Sequence, residues 1–492
     1  MKTILVLLDT LNRRSLPAYG GEASTPNIDR AAEKSVVFGQ HWSGSLPCMP
    51  ARRDLLTGRA SFLEKGWGGI EPFDRTLPEV LREAGIFSHI ITDHYHYFSR
   101  GGENYCQAFS TWDFHRGQEG DPWHSVIAEP PKPEQYYGRI EDQYEHNRSR
   151  FEREEDYPGP RTLSAACDWL ERNKDEDNYF LWVEAFDPHE PFDCPPYYLE
   201  QYKDTYNGPR FDWPIYGDAD VPEDALRHLN ARYAANLTMI DHWFGKLLDT
   251  MDRLELREDT LFIFTTDHGF LLGEHELLGK NQMHVYNELA HIPLMIRPPG
   301  GQREGMRIHA LSQTVDLMPT ILDYMGVQAP EDVRGYSLRG LLEGREDQVR
   351  EAAIYGYHGM AVNVTDGRHT YMRAPKSADN HPCNIYTAMP TTFRSFLGGG
   401  MEKEIECGRY LERTDYPVFK IPLTAEGRPY TGNQRVLQSQ LFSLEEDYAQ
   451  QHPLQNEAVE EHMIDLLRAE MERADAPEEQ YLRLGLEKRE DD

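Results

Sequence analysis

Several apolar runs in the chain stop abruptly at acids or histidines. Residues 4–8 form a continuous apolar run that ends at Asp9, and residues 86–92 run into Asp93 and His94. Residues 179–184 lead into Phe186-Asp187-Pro188-His189, and residues 260–265 end in Thr266-Asp267-His268-Gly269. A run without polar alternation predicts a strand buried on both faces, as in a parallel sheet. Between these runs, residues 77–84, 161–173 and 223–254 predict helices. Strand and helix alternating along a chain specify an α/β class, in which ligands gather at the carboxyl ends of the strands. Further on, residues 292–296 read as another strand and 312–323 as a helix closing at Gly326. Residues 352–357, 361–365 and 369–374 then alternate like antiparallel strands, with Asp366-Gly367 as a hairpin turn. Two parts follow: residues 1–345 as a large domain and 346–492 as a smaller C-terminal one.

Residues 101–157 are rich in Gly, Pro, Trp and charge, with little periodicity, and predict an extended insertion over the sheet edge that sets specificity. Beyond Ala474 the charged end predicts an arm or a partly disordered segment. No internal repeat is evident.

At 492 residues the chain exceeds one ordinary core. Its 51 Lys and Arg against 83 Asp and Glu give a formal charge of −32, which repels nucleic acid and anionic membranes. An anionic substrate therefore needs a local positive pocket. The opening Met-Lys-Thr-Ile-Leu-Val-Leu-Leu-Asp has an apolar run too short for a signal-peptide core, and no stretch has the length of a membrane span. The cysteines, Cys48, Cys106, Cys167, Cys194, Cys383 and Cys407, lie far apart with no Cys-x-x-Cys pair. That spacing argues against a zinc site or disulfide framework; a reducing, cytoplasmic setting is the simplest expectation, and a mature sequence trimmed of its signal would read the same.

The densest chemistry is Cys48-Met49-Pro50-Ala51-Arg52, followed by Leu55-Leu56-Thr57-Gly58-Arg59. A structural cysteine is one reading. A tyrosine-phosphatase-like loop is another, but the position where it needs arginine holds Asp54. The paired motifs resemble the activation sequence of type I sulfatases, the formylglycine-dependent branch of the alkaline phosphatase superfamily. In that sequence Cys-x-Pro-x-Arg directs oxidation of the cysteine to formylglycine. Thr25-Pro26-Asn27-Ile28-Asp29, Pro188-His189-Glu190-Pro191-Phe192, Thr266-Asp267-His268-Gly269 and Lys280 extend the resemblance, which covers roughly residues 1–345. Gln440-Leu441-Phe442-Ser443-Leu444 resembles the family's C-terminal segment.

The resemblance implies an alkaline-phosphatase-like α/β/α sandwich with a mixed, largely parallel sheet, plus a smaller C-terminal α/β domain with an antiparallel sheet. It implies one divalent cation, Ca²⁺ first with Mn²⁺ or Mg²⁺ as alternatives, held by Asp9, Asp267, His268 and the oxygen of modified Cys48. Arg52 would stabilise the nucleophile, Lys280 would contact the sulfate, His189 or Lys280 would protonate the leaving alcohol and His96 would accept the later proton. The chain departs from the family at three places. Thr10 stands where a second acid is common, His94 falls where a lysine is common, and Phe62-Leu63-Glu64-Lys65 replaces a histidine pair. His268 in place of Asn resembles the branch with choline sulfatases and phosphonate monoester hydrolases. His275 and His284 are expected to be structural or to support ligands from behind.

The expected function is hydrolysis of a small sulfated substrate, an aryl, steroid, sugar or small aliphatic ester. Alternatives are a phosphonate monoester or phosphodiester hydrolase, a non-catalytic glycan-binding relative, or an alkaline-phosphatase-type enzyme with an unmodified side chain. The implied partner is a formylglycine-generating enzyme during maturation, with no nucleic acid and no membrane. The oligomeric state stays open, a homo-oligomer included.

Overall fold

The computed structural model describes residues 1–102, 104–392, 395–397, 404–423 and 438–487. Its framework is an eight-stranded sheet in the order Arg307–Gln313, Val36–Trp42, Leu294–Arg297, Thr260–Thr265, Lys2–Leu8, Tyr179–Ala185, Phe87–Thr92 and Thr111–Phe114. All neighbours run parallel except Leu294–Arg297, which is antiparallel to both of its partners.

The continuous apolar runs are the central strands, because both faces are covered. Ile4, Val6, Leu8, Leu181, Val183, Phe262 and Phe264 face a layer that includes the helices Pro26–Glu33, Pro158–Arg172 and Glu223–Arg253. The alternate residues Leu5, Leu7, Phe180, Trp182, Leu261 and Ile263 face Cys48–Thr57, Leu77–Glu83 and Leu317–Tyr324. Residues one apart on a strand point to opposite faces, so each layer takes every second side chain. The expected α/β/α sandwich is present.

A second sheet runs Gln440–Ser443, His369–Arg373, Val362–Thr365, Ala353–Tyr357 and Ser45–Leu46. The first four are antiparallel, and the Asp366-Gly367 turn forms as expected, with Asp366 Oδ1 accepting from the amides of Arg368 and His369. The helices Glu457–Arg473 and Glu478–Leu484 cover it through Met463, Leu467, Met471 and Leu484. Ser45–Leu46 joins it in parallel, pairing with Gly356 and Tyr357. The segment just ahead of Cys48 is thus laid against the C-terminal sheet.

Three expectations need correction. Ser312 and Gln313 belong to a strand, and the helix starts only at Leu317 after a turn of 3₁₀ helix, because Asp316 is spent as a cap that takes the Gln313 amide. Residues 101–157 contribute the edge strand Thr111–Phe114 in addition to loop. The chain beyond Ala474 is not an arm throughout: Glu478–Leu484 is helical, with Glu479, Gln480, Arg483 and Leu484 buried. Residues 488–492 lie outside the described residues. Among the described residues no helix is long and apolar enough to cross a membrane.

Candidate active site

The helix Cys48–Thr57 sets the geometry. Pro50 falls in its first turn, where an amide hydrogen has no partner to lose, and Gly58 closes it with φ +64°. Cys48 and Arg52 are four residues apart and share one helical face. Arg52 Nη1 donates back to the Cys48 carbonyl at 3.0 Å, so the motif spacing places guanidinium and sulfur in one site. Behind them Asp54 accepts from the amides and hydroxyls of both Ser45 and Ser61, at 2.6 to 2.9 Å.

The strand ends bring the carboxylates. Arg52 is fully buried and bonds Asp9 Oδ2 at 2.7 Å, Glu184 Oε1 at 2.7 and 2.8 Å, and Asp267 Oδ2. One guanidinium faces three carboxylates, and they hold its proton more tightly than usual despite burial. Burial, reinforced by Asp267, pushes Asp9 up to about 7. Asp267 goes the other way: burial opposes ionisation, but the charges of Arg52 and Lys280 and the hydrogen bond from the Thr10 amide hold its carboxyl low. Glu184, whose Oε2 also accepts from Tyr97 at 2.8 Å, was no site candidate in the sequence. The one signal was an acid inside an otherwise apolar strand.

His268 Nδ1 lies 2.8 Å from the Gly269 carbonyl, which only accepts, so Nδ1 carries the hydrogen and Nε2 presents its lone pair 3.1 Å from Cys48 Sγ. Burial lowers this imidazole to about 3, so it stays neutral, as a metal ligand requires. Asp9, Cys48, Asp267 and His268 are all buried and offer ligand atoms within 4.8 Å of one another. Two carboxylates and a neutral imidazole converging on one point form a donor set that fits a divalent cation.

Thr10 has φ +61°, unusual for a β-branched residue. Its amide donates to Asp267 Oδ1 at 3.1 Å and its hydroxyl to Asp9 Oδ1 at 2.6 Å, while Lys280 Nζ donates to that hydroxyl at 3.1 Å. Thr10 therefore orients the acids on either side. A short hairpin, Leu271–Leu272 with Leu277–Gly279, returns the chain so that Lys280 Nζ stands 3.5 Å from Cys48 Sγ. Despite burial, the sulfur and the carboxylates of Glu190, Asp9 and Asp267 hold Lys280 protonated.

His189 is buried in its proline-bounded loop, with its ring centroid 4.1 Å from that of Phe186. Nδ1 donates to the Glu190 carbonyl at 2.7 Å, and burial, then Lys280, push the imidazole well below its ordinary value. His94 is fully buried with Nε2 3.6 Å from Asp9 Oδ2, so it backs the carboxylate cluster, whereas His96 reaches the cavity. Cys48, His96, His189 and Lys280 line one cavity of about 370 Å³, together with Trp67, Glu119 and others. All the proposed site residues lie in this cavity or directly behind it. His275 stacks on Tyr286 and faces Glu288, a structural position. A larger groove of about 630 Å³, lined by Arg303, Arg307 and Arg350 among others, shares no residue with the site.

The family model described as Sulfatase matches residues 2–327. An arylsulfatase of Clostridium perfringens is 25% identical over 400 residues, covering 72% of this chain and 81% of that protein. PehA, a multifunctional alkaline phosphatase superfamily protein of Trinickia caryophylli, is 28% identical over 414 residues, covering 72% and 79%. Among solved structures, BT4656 in complex with its substrate D-glucosamine-2-N,6-O-disulfate superimposes with a TM-score of 0.64 at 16% identity, over 96% of this chain and 97% of that one. The phosphonate monoester hydrolase of Agrobacterium radiobacter gives 0.65 at 17%, over 95% of each. The fold is alkaline-phosphatase-like.

Proposed function

The chain belongs to the sulfatase family and is a hydrolase of sulfate esters, and from that premise we propose that its nucleophile is a formylglycine made from Cys48 by a formylglycine-generating enzyme. The observation that supports this reading is convergence: motifs at residues 9, 48–52, 189, 267–268 and 280, far apart in sequence, meet around one sulfur atom. Hydrated, a formylglycine carries two hydroxyls on one carbon, one to attack sulfur and one to let sulfate leave.

Asp9, Asp267 and His268 would hold the cation beside position 48. When bound, it acidifies a hydroxyl and offsets charge on the sulfate. Ca²⁺ is the first expectation from the family resemblance, but an imidazole nitrogen and a threonine in place of a second acid move the choice toward Mn²⁺.

Arg52 fixes position 48 through its carbonyl and balances the surrounding carboxylates. Lys280, held cationic, binds a sulfate oxygen. His189 faces the leaving alcohol. In the free protein its imidazole is neutral, so its acid role requires a proton taken up with the anionic substrate, and Lys280 is the second candidate donor. His96 is the candidate acceptor for the proton released when sulfate departs. A cytoplasmic location belongs to the same proposal, resting on the dispersed cysteines.

A second reading, a phosphonate monoester or phosphodiester hydrolase, is favoured by one observation: His268 stands where Asn is common, as in the branch that includes phosphonate monoester hydrolases. The matured protein is tested on 4-nitrophenyl sulfate and on 4-nitrophenyl phenylphosphonate. A higher kcat/KM on the sulfate supports the first reading, and the reverse order supports the second.

A further inference from the structure

Beyond the nucleophile, the cavity wall has a composition that sulfate binding does not require. Trp67, Tyr95 and Tyr216 contribute aromatic groups, and Glu119 and Glu141 contribute carboxylates, with Arg139 between the two acids. Arg139 Nη1 is 3.4 Å from Glu141 Oε1 and its Nη2 is 3.9 Å from Glu119 Oε1, so one guanidinium is divided between two acids. A third carboxylate, Glu190, lies behind the wall, fully buried and accepting from the Tyr216 hydroxyl. Its Oε2 takes no hydrogen bond and lies 3.3 Å from His189 Nδ1. A proton taken up by His189 with the substrate is offset by Glu190 behind it, which leaves Glu119 and Glu141 against the single guanidinium of Arg139 at the wall. Lys280, the remaining cation of the lining, stands at the nucleophile.

Acids therefore outnumber cations on the wall facing away from the nucleophile. A substrate with a second anionic group would meet repulsion there, and the formal charge of −32 adds nothing to attract it. A cation meets the opposite: carboxylates at short range and aromatic faces, to which ammonium groups are drawn. Cys48, Glu119 and Glu141 line one cavity of about 370 Å³, so the alcohol part of an ester whose sulfate meets Cys48 lies against this wall.

Resting on the sulfatase reading, we infer that the alcohol released by this enzyme carries a positive charge: the substrate is a zwitterionic sulfate ester, with sulfate at the Cys48 end and an ammonium group against Glu119, Glu141 and the aromatic wall. Such an ammonium occurs on a quaternary amino alcohol or on an amino sugar with a free amine. The recognising chemistry is the same for both.

The test compares esters that differ in charge. 2-(Trimethylammonio)ethyl sulfate is set against its uncharged isostere, 3,3-dimethylbutyl sulfate, and glucosamine 6-sulfate against glucose 6-sulfate, with the matured, metal-loaded full chain. In at least one pair the cationic ester should have a kcat/KM about tenfold or more above its neutral partner, and the pair that shows it identifies the source of the ammonium. Glu141→Gln and Glu119→Gln should each reduce that ratio by about threefold or more, as loss of a partly screened ion pair requires. Because Glu119 also faces His96 and His189, the ratio is the readout, with the neutral ester correcting for a general loss of rate. Ratios near or below one in both pairs, or a ratio unchanged in both variants, overturn the inference. 4-Nitrophenyl sulfate separates the two levels of claim. Turnover of it with flat ratios refutes the charged alcohol alone, whereas no turnover of any of these sulfate esters by the matured protein refutes the sulfatase reading and this inference with it.

Discussion

Arg52 bears the charge balance of the site, since Asp9, Glu184 and Asp267 all reach its guanidinium inside the protein. Removing it leaves three carboxylates facing one another, and breaking a buried pair in this way costs about 3–5 kcal/mol. Arg52→Met should therefore lower Tm by several degrees, and by more in metal-depleted than in metal-loaded protein, because a bound cation relieves Asp9 and Asp267. Equal losses in calorimetry with and without metal would argue against a cation between those two acids. His189 and Lys280 separate by leaving group. General-acid help is worth about 10²- to 10⁴-fold for a poor leaving group and little for an acidic phenol. His189→Ala should thus slow an alkyl sulfate far more than nitrophenyl sulfate, and Lys280→Ala should slow both. Equal losses in His189→Ala would move that histidine to sulfate binding. Cys48, Arg52 and Asp267 stood out in the sequence because each lies in a motif, and Lys280 through its place downstream of Asp267. Glu184 did not, because one acid beside the last residue of an apolar strand resembles any strand about to reach solvent, and Glu119 was hidden in a loop without periodicity.

The sheet elements work as a platform that delivers side chains from the carboxyl ends of strands to one edge, and the loops there store titratable groups. Asp187, which follows the Tyr179–Ala185 strand by two residues, is buried, accepts from Asn236 at 3.1 Å, and is pushed up to about 7 by burial and then by Asp193. Its folded value lies above the unfolded one of 3.8, so between about pH 4 and 7 the folded state holds the extra proton. The stability contribution is complete below that window and is lost as pH rises through about 7. Thermal melts should show wild-type stability declining across this range, with a flatter profile in Asp187→Asn. A profile that the substitution leaves unchanged would contradict the assignment. Strands read well where both faces are covered, as in Lys2–Leu8 and Thr260–Thr265. Val36–Trp42 escaped because Gly39, Gln40 and His41 interrupt its apolar run. Thr111–Phe114 escaped because an edge strand with exposed Thr111 and Trp112 lacks a buried pattern. The Glu478–Leu484 helix was masked by its charge, although Arg483 is buried against Gln480, Asn380 and the Met360 carbonyl.

At the scale of the whole molecule, two sheets meet at the segment that leads to the nucleophile. Ser45–Leu46 pairs with the strand Ala353–Tyr357, and Asp54 ties Ser45 to the helix that carries Cys48. The folded chain buries Cys48, so the maturation proposed above requires that a modifying enzyme reach it before folding or during it. Purified folded protein, mixed afterwards with the formylglycine-generating enzyme, should remain unconverted, whereas co-expression should convert it; full conversion of folded protein would refute this ordering. The central claim is the identity of the nucleophile, and the mass of the Cys48 peptide from co-expressed protein tests it most directly, read beside 4-nitrophenyl sulfate turnover of the same preparation. The account predicts a loss of about 18 Da, thiol to aldehyde, in proportion to activity. A fully active preparation whose Cys48 peptide keeps its thiol mass would contradict it.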